Sequence, residues 1–432
     1  MNRPVGRPGV LLGAAILFIS SAANFLPNSF AQAQRDLVGC DPLCYGYLQS
    51  FTSAVSFCGA LLVGRLSDSW GRLPVLYGGA LASLVAHVIG ISANNRAVMF
   101  IAAVPSCLNQ NHSVMKTLVS DWLDARPSGV QGEKEACMGY LGMAAGLSFM
   151  VGPLLGAVVF SSYQQAKCGA IAGSIISVLV IRLLPQSPIA VGSRGDIAVA
   201  TQNPKVVDVV PTSLLMQPLI RLKSAFAIIS PGARLLLGLR MCMGLAYSIY
   251  NAVFMASLKT RFDFSPFQYG LLMSWIGLIY AISQGFIAKR MILLLNNDTL
   301  LLLYCSVVMG VGRAMQMHVR SVYPLYAILF VVISALGTMN TVISAATAKV
   351  ASEGAVGSLF GSMEAVEKLA ALFGPATGGL LFTLNPFLPT LADIVLYLIV
   401  FTVIFMWYQN YVVTDVTEEK SNLGVGAKLK RQ

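Results

Sequence analysis

Gly64-Arg65-Leu66-Ser67-Asp68-Ser69-Trp70-Gly71-Arg72-Leu73-Pro74 is a short charged turn set between two apolar runs, at 45–64 and 74–93. Each run is near twenty residues, long enough for a helix to cross about 30 Å of hydrocarbon. Helices are the natural form for such runs, because a helix satisfies its backbone donors and acceptors internally where no water can. The expected unit is therefore a membrane hairpin. Within its turn, Gly64 is expected to let two helices approach closely and Gly71 to permit a tight turn. Asp68 is suited to cap a helix N-terminus and to pair with a nearby base, with Arg65 and Arg72 at hand.

Working outward, further apolar runs lie near 9–31, 97–122, 138–161, 166–184, 233–257, 267–288, 299–317, 322–350, 357–384 and 389–411. The composition agrees: 56% of residues are hydrophobic, 11% are charged and the mean hydropathy is +0.72. A soluble domain carries about a quarter charged residues, so this chain is short of the charge needed to face water. The expected fold is an all-α integral membrane protein of twelve helices. The longest polar interval, 185–232, is rich in Pro, Gly and charge and suits a linker. It divides the chain into six-helix bundles at 1–184 and 233–411, followed by a tail at 412–432. Arg3 and Arg7 before the first run resemble the charged region of a signal peptide. The run continues too far for one, so it is expected to remain as the first helix.

Twelve spans put both termini on one side. With the termini in the cytosol, nineteen Lys/Arg fall in inside segments and six outside: Arg35, Arg96, Lys167, Lys259, Arg261 and Arg320. Four lie deeper, at Lys116, Arg240, Arg313 and Lys368. The asymmetry favours cytosolic termini and gives the formal charge of +11 a topological origin. No basic-aromatic patch or nucleic-acid module appears, so nucleic acid is not an expected partner. Among eight cysteines, only Cys40 and Cys44 share an outside loop; two free thiols are expected there, with a disulfide as the alternative. No metal-ligand spacing, no nucleophile–base constellation and no Gly-rich phosphate loop ending in Lys-Ser/Thr is present. No cofactor, metal or enzymatic activity is expected, and a monomer is. The sequons Asn111-His112-Ser113 and Asn297-Asp298-Thr299 fall in the membrane and the cytosol, so neither is expected to carry sugar.

The two halves repeat each other. Tyr45-Gly46-x-Leu48-x-Ser50 recurs as Tyr269-Gly270-x-Leu272-x-Ser274, and Gly152-Pro153-x-x-Gly156 recurs as Gly374-Pro375-x-x-Gly378. The matches lie 224 and 222 residues apart. Parallel repeats of six helices are a transporter architecture, with the site between the halves near mid-membrane.

The Gly64–Arg72 turn matches the loop signature G-x-L-x-D-x-x-G-R, and the chain resembles the major facilitator superfamily. Gly146-x-x-x-x-x-Gly152-Pro153-x-x-Gly156 resembles the signature of drug–proton exchangers in that superfamily. Its mechanics are a Pro that bends the helix and small residues that let neighbours pack. Tyr45-Gly46-Tyr47-Leu48-Gln49, Ser283-Gln284-Gly285 and Phe373-Gly374-Pro375 resemble the branch containing organic cation transporter-like protein 2, also called solute carrier family 22 member 18. The resemblance implies a secondary carrier of a small organic cation or drug, linked to protons and working by alternating access. It also implies that the Gly64–Arg72 loop latches the halves in one conformation. The second-half loop, Ala288-Lys289-Arg290, keeps the bases and loses the acid. Family members commonly carry an Arg where this chain has Ala103, a departure that weakens the usual route of proton coupling. The competing reading is a carrier-shaped receptor or scaffold that does not transport.

Each charge at bilayer depth costs at least about 2.5–3.5 kcal/mol, so each needs a reason. His112 and Lys116 lie one turn apart on span four, Arg240 on span seven, and Glu364, Glu367 and Lys368 on span eleven. Counted from the cytosolic ends at about 1.5 Å per residue, Lys116, Arg240 and Glu364 lie about 9–11 Å deep, and His112 and Glu367 about 15 Å. Spans one, four, seven and ten line the cavity in the superfamily. That makes Asn24, His112, Lys116, Arg240 and Asn340 candidates for solute or proton contact, with Gln284, Glu364 and Glu367 beside them. Each also has a plainer reading. Arg240 can pair with Glu364 or Glu367, Glu364 with Lys368 one turn away, and Lys116 can snorkel to the cytosol. His112 is the best proton-carrier candidate, because an unperturbed histidine titrates near neutrality, although a lone buried His is more often structural. Arg313 and His318, near the outer end of span nine, are expected to snorkel.

Overall fold

The structure is a computed structural model that describes residues 7–124, 133–185, 230–350 and 356–413. The linker at 186–229 and the tail beyond 413 lie outside the described residues. What is described is helical, with no strand among the described residues. The helices are α1 (Arg7–Phe25), α2 (Ala31–Val38), α3 (Pro42–Ser69), α4 (Arg72–Ile91), α5 (Arg96–Ala103), α6 (Asn111–Asp124), α7 (Glu133–Val159) and α8 (Tyr163–Ile181). After the linker come α9 (Pro231–Phe262), α10 (Pro266–Ile282), α11 (Ala288–Leu295), α12 (Asp298–His318), α13 (Val322–Val350), α14 (Val356–Leu384) and α15 (Leu388–Val403).

Ten helical segments among the described residues are long and apolar enough to cross a membrane. The other two expected spans differ from those ten for physical reasons. The run at 97–122 is broken: α5 passes into a 3-10 turn, Val104–Cys107, and the chain leaves the helix before α6 begins. Pro105 removes a backbone donor at the break. Gln110 Nε2 donates to the Ser56 carbonyl at 3.1 Å, which ties the break to α3. Gly59 permits α3 to close on the break, since a Cβ there would run into the Cys107 carbonyl. The second, α14, is one continuous helix whose first half carries Glu364, Glu367 and Lys368.

Contacts divide the chain into two compact units. One is Met1–Lys205 with Met255–Leu278; the other is Val206–Phe254 with Ile279–Gln432. In the first unit, Val10, Ile16, Leu17, Leu76, Met115, Leu118 and Trp122 form part of a closed apolar core. The Met255–Leu278 stretch seats itself in this unit through α10. Ser274 Oγ donates to the Met150 carbonyl, and Gly270 leaves no room for a Cβ beside Pro153 and Ala157.

The repeated Gly-Pro-x-x-Gly elements do the same work in each unit. On α7, Gly152 lies against Ala22 and Phe25, and Gly156 against the Leu26 carbonyl. On α14, Gly374 lies against Ser248, and Gly378 against the Ile249 carbonyl of α9. Small residues let backbones come together where lipid offers no hydrophobic drive for association. Gly146, by contrast, has open space where its Cβ would be. The same holds for Gly64 among the described residues, so the close approach expected of it occurs at Gly59 instead. Gly71 takes φ of +96°, a conformation that glycine reaches without a Cβ clash.

Cys40 and Cys44 are joined in a disulfide, which corrects the expectation of two thiols. Asp41 between them caps α3, accepting from the Cys44 amide at 2.9 Å. This cap brings residues 41 and 44 into one turn, which sets the two cysteines side by side. Asn297 caps α12 in the same way, accepting from Thr299 and Leu300.

Candidate functional site

In the second unit, four helices bring polar side chains together. Arg240 on α9 forms an ion pair with Glu367 on α14. Its second terminal nitrogen donates to Asn340 Oδ1 on α13 at 2.5 Å. Asn340 Nδ2 in turn donates to the Tyr280 hydroxyl on α10 at 3.0 Å. Tyr247 stands two turns beyond Arg240 on the same face of α9 and is exposed. The Arg240 and Glu367 side chains keep 20% and 41% of their surface exposed, so the pair is reachable and not sealed.

This arrangement can exchange partners. Asn340 holds one edge of the guanidinium and Glu367 the other. Glu367, with 41% of its side-chain surface exposed, is the more open partner of the pair.

Beside this cluster, α10 ends in a π-helical turn, Ser283–Ile287. Ser283 Oγ donates to the Ser334 carbonyl at 2.7 Å, and Gly337 leaves α13 close against Ser283. Single π turns often mark functional positions. Gln284 within this turn is exposed. Glu364 is exposed too, and it forms no ion pair with Lys368 among the described residues. Of the two carboxylates expected on span eleven, the structure joins Glu367 to Arg240.

In the first unit, the broken span supplies a second polar group. Asn111 is buried against Gly79 at the start of α6. His112 follows half-buried, and Lys116 is exposed one turn on. Asn24 on α1 turns its amide back to the Ser20 carbonyl at 2.9 Å. Ala103 ends α5 immediately before the break.

The turn after α3 also reaches across to α6. Arg72 pairs with Asp121 on α6 at 3.0 Å, both buried, and donates to Ser67 Oγ at 2.7 Å. Asp121 was not among the expected residues, because nothing in its local sequence marks it as a partner of a turn forty-nine residues away. Arg65 is exposed, and the side chain of Asp68 lies outside the described residues.

A family profile described as the Major Facilitator Superfamily matches residues 11–230 and 236–430. The chain belongs to the Major Facilitator Superfamily. It is therefore a multi-pass membrane transporter and not an enzyme, built from the superfamily's two-fold helical repeat. Solute carrier family 67 member A1 of Homo sapiens is 24% identical over 387 residues, covering 88% of this chain and 87% of its own. Solute carrier family 22 member 18 of Mus musculus is 23% identical over 388 residues, covering 87% and 90%. Tetracycline resistance protein, class G, of Vibrio anguillarum is 23% identical over 346 residues, covering 79% and 81%. Among solved structures, the human organic anion transporter MFSD10 superposes with a TM-score of 0.61 at 21% identity, covering 93% of this chain and all of that one. The nucleoside transporter NupG gives 0.68 at 14% identity, with 93% and 99% covered. At these identities the solved superfamily members establish the fold.

Proposed function

We propose that this superfamily member exchanges a small organic cation or drug-like solute for protons, with Glu367 as the shared binding carboxylate. The observation that carries the reading is the reachable Arg240–Glu367 pair backed by Asn340. In one state Glu367 is ionised and binds the solute's cationic centre. In the other it is protonated, and Arg240 rests on Asn340. Binding of one therefore expels the other, which is the requirement for exchange. His112 and Lys116, placed beside the break in span four, supply the corresponding polar surface of the first six-helix half. The resemblance to exporters with the same glycine-proline signature supports exchange over uniport.

The two halves, 1–184 and 233–411, are joined by the linker 185–232, and the Gly64–Arg72 turn latches their movement. Both termini face the cytosol. The nineteen-to-six asymmetry of basic residues supports this orientation. So does the Cys40–Cys44 disulfide, since such bonds persist on the oxidising side of a membrane. Epitope tags at either terminus detected on the outer or lumenal face of sealed membranes would overturn it.

The test of function is flux in proteoliposomes under an imposed pH gradient, using organic cations as the first probe set. Wild-type protein is expected to carry out cation uptake driven by the gradient. The Arg240→Gln/Glu367→Gln double variant is expected to fold and to lose the gradient response. A double variant that transports with unchanged pH dependence refutes the assignment to Glu367. Absence of flux from wild-type protein across cations, anions, sugars and amino acids favours the receptor or scaffold reading.

A further inference from the structure

The second unit holds another ion pair, and its surroundings are the reverse of the first. Arg313 on α12 meets Asp393 on α15 at 3.3 Å, with 3% and 0% of the side-chain surfaces exposed. Arg313 does not snorkel, as its position near the end of span nine suggested. It turns inward. Its guanidinium lies over the Tyr250 ring of α9, 3.6 Å from the centroid. Its terminal nitrogen donates to Gln316 Oε1 at 3.2 Å, and the Tyr250 hydroxyl donates to the same oxygen at 2.6 Å. One acceptor oxygen thus joins α9 to α12, and Arg313 carries the connection on to α15.

Tyr250 and Arg240 share helix α9. Ten residues separate them, about 15 Å along the axis, and their side chains leave the helix in different directions. Arg240 and Tyr247 form the reachable face. Tyr250 is buried on another, stacked on Phe254. The opposite constraint on α9 comes from α14, whose Gly374 and Gly378 lie against Ser248 and Ile249. Close glycine packing by itself tolerates sliding, since backbone against backbone has little directional preference. Hydrogen bonds and a guanidinium over a ring require one rotation and one height. The polar contacts at Tyr250 therefore fix how α9 is turned, and with it where Arg240 stands relative to Glu367 on α14.

We propose that Arg313, Asp393, Gln316 and Tyr250 form a positioning clamp that sets the rotation of α9, so that Arg240 faces Glu367. These residues touch no solute; they act through Arg240. The proposal rests on the reading of Arg240 and Glu367 as the exchange site, and its test includes a measurement that needs no transport.

Three variants separate a clamp from plain structural support: Tyr250→Phe, Asp393→Asn, and the volume-keeping double Arg313→Met/Asp393→Leu. Tyr250→Phe keeps the ring over Arg313 and removes only the hydroxyl. It is expected to lower the unfolding temperature by no more than a few degrees, to raise the KM for the transported cation about fivefold, the factor that one net hydrogen bond represents, and to leave the maximal rate near wild type. The double variant is expected to recover the thermal stability that Asp393→Asn loses while keeping the raised KM. The transport-free measurement is maleimide labelling of Cys242, half-buried two residues from Arg240 on α9. It is made in protein that retains Cys242 and the Cys40–Cys44 disulfide and has alanine at the other cysteines. The labelling rate is expected to change severalfold in both Tyr250→Phe and the double variant. Unchanged labelling in both overturns the clamp whatever the flux shows. Changed labelling in a protein that moves no solute supports the clamp and leaves the transport reading to fail alone. Wild-type KM in the double variant means the pair only holds the fold, and overturns the proposal.

Discussion

Arg240–Glu367 and Arg313–Asp393 are both arginine–carboxylate pairs within the membrane-spanning helices of one unit, and they are built for opposite ends. The first leaves Glu367 reachable and gives Arg240 a neutral second partner in Asn340, so either charge can be released without being stranded. The second is sealed, with the Tyr250 ring and Gln316 against its arginine. A sealed pair resists separation, because each freed charge would sit in a low-dielectric interior. The comparison teaches that depth in a membrane does not by itself mark a working charge. What marks it is whether the partner can leave.

The largest expected effect breaks the sealed pair. Arg313→Gln strands Asp393 and is expected to cost about 3–5 kcal/mol, read as a lower unfolding temperature of the purified protein. A loss no larger than that of Arg240→Gln would erase the distinction between the two pairs. Next is Arg240→Gln, expected to cost about 1–2 kcal/mol, because Glu367 can turn to solvent when its partner is removed. Adding Glu367→Gln is expected to restore that stability while leaving flux lost; recovery of flux would make this pair structural too. Smaller still in stability is Glu367→Gln alone, expected within about 1 kcal/mol of wild type. Its effect lies in function: flux is expected to become independent of pH, since the titrating carboxylate is gone. A pH profile shaped like that of wild type would move proton binding elsewhere, with His112→Gln as the next variant to measure. The smallest stability effect is expected for Asp68→Asn in the turn after α3. Insertion and unfolding temperature are expected to match wild type while flux falls, and normal flux would remove the latch from the mechanism.

Much of this was legible in the sequence. The apolar runs, the repeated Gly-Pro-x-x-Gly elements and the loop at Gly64–Arg72 are local patterns, and local patterns determine where helices lie in a bilayer and that two halves share one plan. Arg240, Asn340 and Glu367 were legible as candidates for the same reason: a polar residue in an apolar run is costly and stands out. Pairing was not legible. Arg72 meets Asp121, forty-nine residues on, and Glu364 has Lys368 one turn away but forms no ion pair with it among the described residues. Arg313 near a helix end suggested snorkelling, yet Asp393, eighty residues on, draws it inward. The Cys40–Cys44 bond and the break in span four also wait on local geometry that composition leaves open. The sequence by itself determined a membrane-spanning helical repeat and which residues carry unusual cost in it. Only the tertiary structure decided which charges meet, because side chains far apart along the chain become neighbours through helix rotation and packing, and these are set by contacts between helices.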